Sequence, residues 1–185
     1  ILRALNTYIS EPEKVSSINN AVKVECLQSG FVILKADGSV AKTNKYAKEQ
    51  NIVLENVASS NIVDISATNE NIVLLDKDLN TYTFGDNKNG QAGIGTTSDK
   101  VSLQKVNMIE GKTYFNIGAG YKNNYIIDTE GFMYGAGSNE YGQLGNSTYD
   151  DSLQFTLVGD RKFEIVPDAR TMKQPEEEIV SIQAN

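Results

Sequence analysis

The chain has 185 residues, a mass of 20.3 kDa, a formal net charge of −7 and a pI near 4.7. An acidic surface repels phosphate backbones, which argues against nucleic-acid binding. No apolar stretch reaches transmembrane length, so no membrane insertion is expected; the single cysteine excludes a disulfide framework, and the absence of histidine removes the commonest metal ligand and general base.

Taken in chain order, residues 1–21 read as the tail of a repeat: a polar loop with Pro12, then Val15 and Ile18. Residues 22–61 read as a degenerate repeat, with strands expected at 22–26 and 31–35 and a tight turn at Asp37-Gly38. Its segment 46–54 shows no clear period. Residues 62–113 are a full repeat: strands at 62–67, 72–76 and 81–84, a turn at Asp78-Leu79-Asn80, a glycine-rich loop, and a last short strand at 103–106. Residues 114–178 repeat the pattern, with strands at 115–119 and 125–128, a turn at Glu130-Gly131, a second glycine-rich loop and a last strand at 155–158. Here an insertion at 160–175 is expected to project as a long loop or added hairpin, before the solvated run Glu176-Glu177-Glu178. Residues 179–185 open a further repeat with Ile179-Val180-Ser181-Ile182-Gln183-Ala184.

The strongest signal is a self-match. Residues 85–93 read GDNKNGQAG and residues 137–145 read GSNEYGQLG, 52 positions apart. Upstream, Ile72-Val73-Leu74-Leu75-Asp76 aligns with Asn124-Tyr125-Ile126-Ile127-Asp128, and Tyr82 with Tyr134. Spacings between Val24, Ile65, Ile117 and Ile182 lengthen from 41 to 52 to 65. A period of about 50 residues suits one propeller blade, and apolar strands joined by tight turns read as antiparallel hairpins. No helical period of useful length appears. The expected fold is therefore all-β: one repeat array, about three blades of a β-propeller. A propeller needs at least about four blades, and open strand edges are avoided. The rest of the ring is expected from the same or a neighbouring chain, and the start at Ile1 rather than Met agrees with a piece of a larger protein.

The phrase apolar-x-Ile-x-Ala, apolar strand, Asp-Gly, Tyr-x-x-Gly-x-Asn-x-x-Gly-Gln-x-Gly resembles the regulator of chromosome condensation (RCC-type) repeat. The resemblance covers nearly the whole chain and implies a seven-bladed propeller. Departures are the missing tryptophans, with Phe84 and Ala136 in their place, and Lys42-Thr43-Asn44-Lys45 where the first glycine-rich loop would begin. The resemblance implies a choice among exchange factors for a small GTPase, β-lactamase inhibitors and bacterial surface repeats. Richness in Asn, Ile and Lys points to an AT-rich genome, so a bacterial or phage member is expected.

The motif residues have structural explanations. Gly85, Gly90, Gly93, Gly137, Gly142 and Gly145 suit positive φ or close strand approach. Asn87 and Asn139 can bond nearby backbone, and Gln91 and Gln143 offer both donor and acceptor to buried loop backbone. No Lys-Ser/Thr and no helix follow, so the loops are not phosphate cradles. Asp76-Lys77-Asp78 starts like a calcium loop but lacks its later Gly and Glu, so no metal is expected there. Cys26 stands at the position of Ala67 and Ala119 and is expected to be a small buried strand residue. No catalytic set and no cofactor are expected. Tyr121, Tyr141 and Tyr149 fall in loops rather than at repeat-core positions, and exposed aromatics suit partner binding. The expected function is a non-enzymatic protein-interaction module binding a receptor or neighbouring subunit, at a cell surface, outside the cell or on a virion. The alternative is guanine-nucleotide exchange on a Ran-like GTPase, with residues 160–175 as the wedge. A glycan-active enzyme would need a converging carboxylate pair, and the sequence singles out none.

Overall fold

The computed structural model describes residues 18–28, 30–43, 54–58, 60–107, 109–160 and 162–163. Within them lie twelve strands and no helix, in three four-stranded antiparallel sheets. Blade 1 comprises β1 (Ala21–Leu27), β2 (Gly30–Lys35), β3 (Val40–Thr43) and β4 (Leu54–Ala58). Blade 2 comprises β5 (Ile62–Thr68), β6 (Asn71–Asp76), β7 (Thr81–Asn87) and β8 (Ser98–Lys105). Blade 3 comprises β9 (Tyr114–Ala119), β10 (Asn123–Asp128), β11 (Met133–Gly137) and β12 (Ser152–Leu157). Each sheet pairs its strands in sequence order, the meander of a propeller blade. The segments 1–17 and 164–185, which hold the expected repeat tail, most of the insertion and the next opening phrase, lie outside the described residues.

Blade 2 is the middle layer, and its sequence shows why. β6 is buried along its whole length, because alternate side chains face different neighbours. Ile72 and Leu74 join Val32, Leu34, Val40, Ile62 and Ile65 in a core shared with blade 1. Val73 and Leu75 join Tyr114, Ile117, Ile126, Tyr134 and Phe155 in a core shared with blade 3. Tyr114 and Tyr134 meet edge to face, with centroids 5.7 Å apart. Polar groups also cross between blades. The amides of Asn71 and Asn124 bond reciprocally, at 2.5 and 3.0 Å, and both residues are fully buried. Ser66 Oγ accepts the Ala119 N–H at 2.9 Å.

A repeated aspartate closes the hairpin after each second strand of blades 2 and 3. Asp76 Oδ1 accepts the N–H groups of Asp78 and Asn80, at 2.9 and 2.8 Å, and Tyr82 Oη donates to Oδ2 at 3.1 Å. Asp128 Oδ1 accepts from Glu130 and Phe132, both at 2.9 Å, and Tyr134 Oη donates to Oδ2 at 3.0 Å. These carboxylates are therefore engaged by the turn, as the hairpin reading of Asp76-Lys77-Asp78 expects. The turn needs a left-handed residue, supplied by Gly38, Leu79 and Gly131 at φ 76°, 63° and 92°.

Two expectations are corrected. Cys26 is exposed, not buried. It shares the face of β1 turned away from blade 2 with Val22 and Val24, and among the described residues no element packs there, whereas Ala67 is covered by blade 1. The outer strands also begin earlier than expected: β8 at Ser98 and β12 at Ser152. Their starts are exposed and polar, so they carry little apolar period; in β8 only Val101 is buried.

Candidate functional site

The turns β5–β6 and β9–β10 and both glycine-rich loops sit at one end of the sheets. Backbone bonds tie each turn to its loop: Asp86 N–H to Glu70 O at 3.0 Å, and Ser138 N–H to Lys122 O at 2.9 Å. The β1–β2 turn joins this end through Gln28 N–H to Asn69 O at 2.7 Å.

The two loops are built alike. Asn87 Oδ1 accepts the Ala92 N–H at 2.9 Å, and its Nδ2 donates to Thr96 O at 2.8 Å. Asn139 Oδ1 accepts the Leu144 N–H at 2.8 Å, and its Nδ2 donates to Thr148 O at 2.9 Å. Gln91 Oε1 accepts the Asn89 N–H, and Gln143 Oε1 accepts the Tyr141 N–H. The glycines match as well: φ is 105° and 109° at Gly85 and Gly137, 76° and 71° at Gly90 and Gly142, 68° and 59° at Gly93 and Gly145. One detail differs from expectation. Gln143 Nε2 donates to Ser138 Oγ at 3.4 Å, but Gln91 Nε2 has no protein partner. The residue at Ser138's position in blade 2 is Asp86, whose Oδ1 instead accepts the Lys88 N–H at 3.4 Å.

The three loop tyrosines lie on this end of blade 3. Tyr121, Tyr141 and Tyr149 are 64%, 80% and 76% exposed. At the matching positions blade 2 has Asn69, Asn89 and Thr97, so the aromatics are an exception to the repeat. Lys122 Nζ lies 5.9 Å from the Tyr121 ring centroid. Glu140 and Asp150 are exposed beside them, while Asp151 Oδ1 accepts the Asn139 N–H at 2.7 Å. The loop is braced from below by Tyr125, whose hydroxyl donates to Gln143 O at 2.8 Å; burial pushes that phenol above its ordinary pKa, keeping it a donor. Three exposed aromatic faces, one on the β9–β10 turn and two on the hydrogen-bonded loop between β11 and β12, give contact area at small side-chain entropic cost. Among the described residues, no group of three or more His, Cys, Asp or Glu is placed to hold a metal ion.

Sequence reasoning missed one property of this end. The blade 2 loop does not merely turn the chain; it lies across blade 3. The side of Gly90 faces Leu153 and that of Gly93 faces the Phe155 ring. Asn124 Nδ2 donates to Gln91 O at 2.8 Å. A glycine pattern signals positive φ but names no partner for the loop.

No family model matches the chain. It is 30% identical over 96 residues to the protein RCC2 homolog of Danio rerio, covering 52% of this chain and 19% of that protein. It is 33% identical over 87 residues to the ultraviolet-B receptor UVR8 of Arabidopsis thaliana, covering 45% of this chain and 20% of the receptor. The chain thus spans about a fifth of the length of each of these two curated relatives. Among solved structures it is similar to yeast RCC1 (Prp20), described bound to Kap60, with a TM-score of 0.68, 13% identity, and coverage of 86% of this chain and 42% of that one. The repeats are RCC1-like, and the fold is that of β-propeller blades.

Proposed function

We propose that this chain is part of a larger propeller that serves as a non-enzymatic protein-interaction module, binding its partner with the tyrosine-bearing end of blade 3. The observation that carries this reading is the exposure of Tyr121, Tyr141 and Tyr149 at positions that are polar in blade 2. The repeated residues are absorbed by turns, caps and blade contacts, so the non-repeated aromatics are what the fold does not need. Solved relatives support a protein partner: yeast RCC1 is described bound to Kap60, and Prp20p is described with binding to Gsp1p and histones. A finer version places the partner among receptors or neighbouring subunits at a bacterial surface, in a secreted protein or in a phage tail. It rests on the acidic, Asn-, Ile- and Lys-rich composition alone. Exchange on a Ran-like GTPase is the second reading, supported by the likeness to Prp20p; its wedge, residues 160–175, lies almost wholly outside the described residues.

The test is replacement of each tyrosine by Ala. Each change is expected to weaken the partner by about 1–3 kcal/mol in calorimetry while leaving the melting temperature unchanged, since these rings are exposed. Unchanged partner binding by the triple variant would sink the reading. Turnover of a nucleotide or glycan, lost on mutating carboxylates of this segment, would overturn the non-enzymatic assignment.

A further inference from the structure

The two glycine-rich loops fold alike but are covered differently. In blade 2, Gly90, Gln91, Ala92 and Gly93 are buried, because β12 of blade 3 lies over them. The Gly95 N–H donates to Leu153 O at 2.8 Å, and Ile94 forms an antiparallel bridge with Gln154. Loop and strand thus pair through backbone, while Leu153 and Phe155 seat on the two glycines. Moved 52 residues along, the same seat is Gly142, Gly145, Asn146 and Ser147. Ser147 keeps the left-handed backbone of Gly95, at φ 63° against 84°. Yet Gly145 and Ser147 are exposed and Gly142 is half-buried. Only the ring of Tyr149, from the same loop, stands over Gly142, 3.6 Å from where its Cβ would be.

We propose that residues 142–147 are a strand-docking seat whose occupant is the outer strand of a blade following blade 3. The occupant carries an apolar–polar–aromatic triplet like Leu153-Gln154-Phe155, and it pairs with the Ser147 backbone as Leu153 pairs with Gly95. The argument is continuity with an interface already present in the molecule: closely matching loop geometry, a seat filled by the next blade in one copy, and in the other a seat met only by Tyr149 and Val158 of its own blade. Strand addition of this kind takes affinity from the backbone and selectivity from alternate side chains. The inference rests on reading the chain as part of a larger propeller.

The probe is a synthetic peptide of residues 151–157, DSLQFTL, the strand that the twin seat holds. Titrated into the isotope-labelled 185-residue chain, it is expected to shift the amides of Gly142, Gly145 and Ser147 saturably. Gly142→Ala places a methyl where the peptide leucine must sit and should weaken binding at least about tenfold, on the order of 1.4 kcal/mol. Gly111→Ala carries the same positive-φ strain, at 75° with open space around it, and should leave peptide affinity unchanged. Tyr149→Ala frees the seat and should tighten the peptide several-fold. Unmoved amides at 142–147 in a well-dispersed spectrum would overturn the inference, as would equal binding by Gly142→Ala. Shifts confined to residues 90–95 would mean that the peptide only displaces β12. Weaker peptide binding by Tyr149→Ala would assign the effect to the tyrosine face instead. Self-association of the chain that Gly142→Ala abolishes would make a second copy the occupant and also overturn it. The larger-propeller reading fails separately, if the sequences flanking this segment in its gene contain no further repeats.

Discussion

Asp128 shows how a single carboxylate can set the acid limit of this fold. Burial alone would raise its pKa, but the Phe132 N–H, the Tyr134 hydroxyl, the Glu130 N–H and the Lys112 ammonium outweigh that, and hold it below its ordinary value. A depressed carboxylate contributes stability that is fully present above its unfolded pKa, about 3.9, and is lost as pH falls through the folded value. Melting temperature is therefore expected to drop as pH falls below about 4, and Asp128→Asn should flatten that drop while lowering stability at neutral pH. Burial, with Asp128 beside it, pushes the Tyr134 hydroxyl up to about 12, so it remains a donor through ordinary pH. Tyr134→Phe removes a bond to a charged acceptor and should cost about 1.5–3 kcal/mol in denaturant unfolding. At Leu79 the expectation is reversed. This half-buried leucine holds φ 63° where blades 1 and 3 have glycine. Leu79→Gly should gain about 1 kcal/mol by relieving left-handed strain, less whatever packing the side chain provides; a lower melting temperature would show that packing wins.

At the scale of elements, the glycine-rich loop is a latch as well as a turn. Gly90 and Gly142 have nearly the same φ, so alanine imposes the same backbone strain at each. Only at Gly90 does the new methyl also meet Leu153 of the next blade. Gly90→Ala should cost about 2–4 kcal/mol, combining strain and overpacking, against about 1 kcal/mol for Gly142→Ala. Equal costs in urea titration would remove the latch. The same contrast explains what the sequence could and could not say. Inner and middle strands were legible because apolar residues recur on their pleats, as in Ile72-Val73-Leu74-Leu75. β4 and the start of β8 were not: β4 is five residues long with Glu55 and Asn56 exposed at its centre, and β8 opens on the exposed Ser98, Asp99 and Lys100, so neither shows such a period. Cys26 misled because burial on an inner strand depends on the neighbouring blade, not on the strand itself. The exposure of the three tyrosines was legible, because they fall in loops rather than at repeat-core positions. The forward reach of residues 90–95 was hidden, because its partner lies in a different repeat.

For the whole molecule, stability should follow from blades plus the interfaces between them, as in other repeat arrays. The Asn71–Asn124 pair is the polar part of one such interface, fully buried and reciprocal. Asn71→Leu leaves Asn124 Oδ1 without its donor, at a cost of about 1–3 kcal/mol, while Asn124 Nδ2 keeps its bond to Gln91 O. Because the loss falls between blades 2 and 3, unfolding should become less cooperative, with a smaller denaturant slope, rather than only shift its midpoint. A shifted midpoint with an unchanged slope would show that the three blades unfold as one unit regardless. The direction of the latch has a further consequence, for synthesis. Gly95 finds its acceptor at Leu153, 58 residues later in the chain. At 5–20 residues per second a ribosome needs ~3–12 s to deliver that strand. For that interval blade 2 waits with its loop unclosed, so its completion runs one blade behind translation. Asn and Gln side chains that cap the loop from within let it hold its shape during the wait.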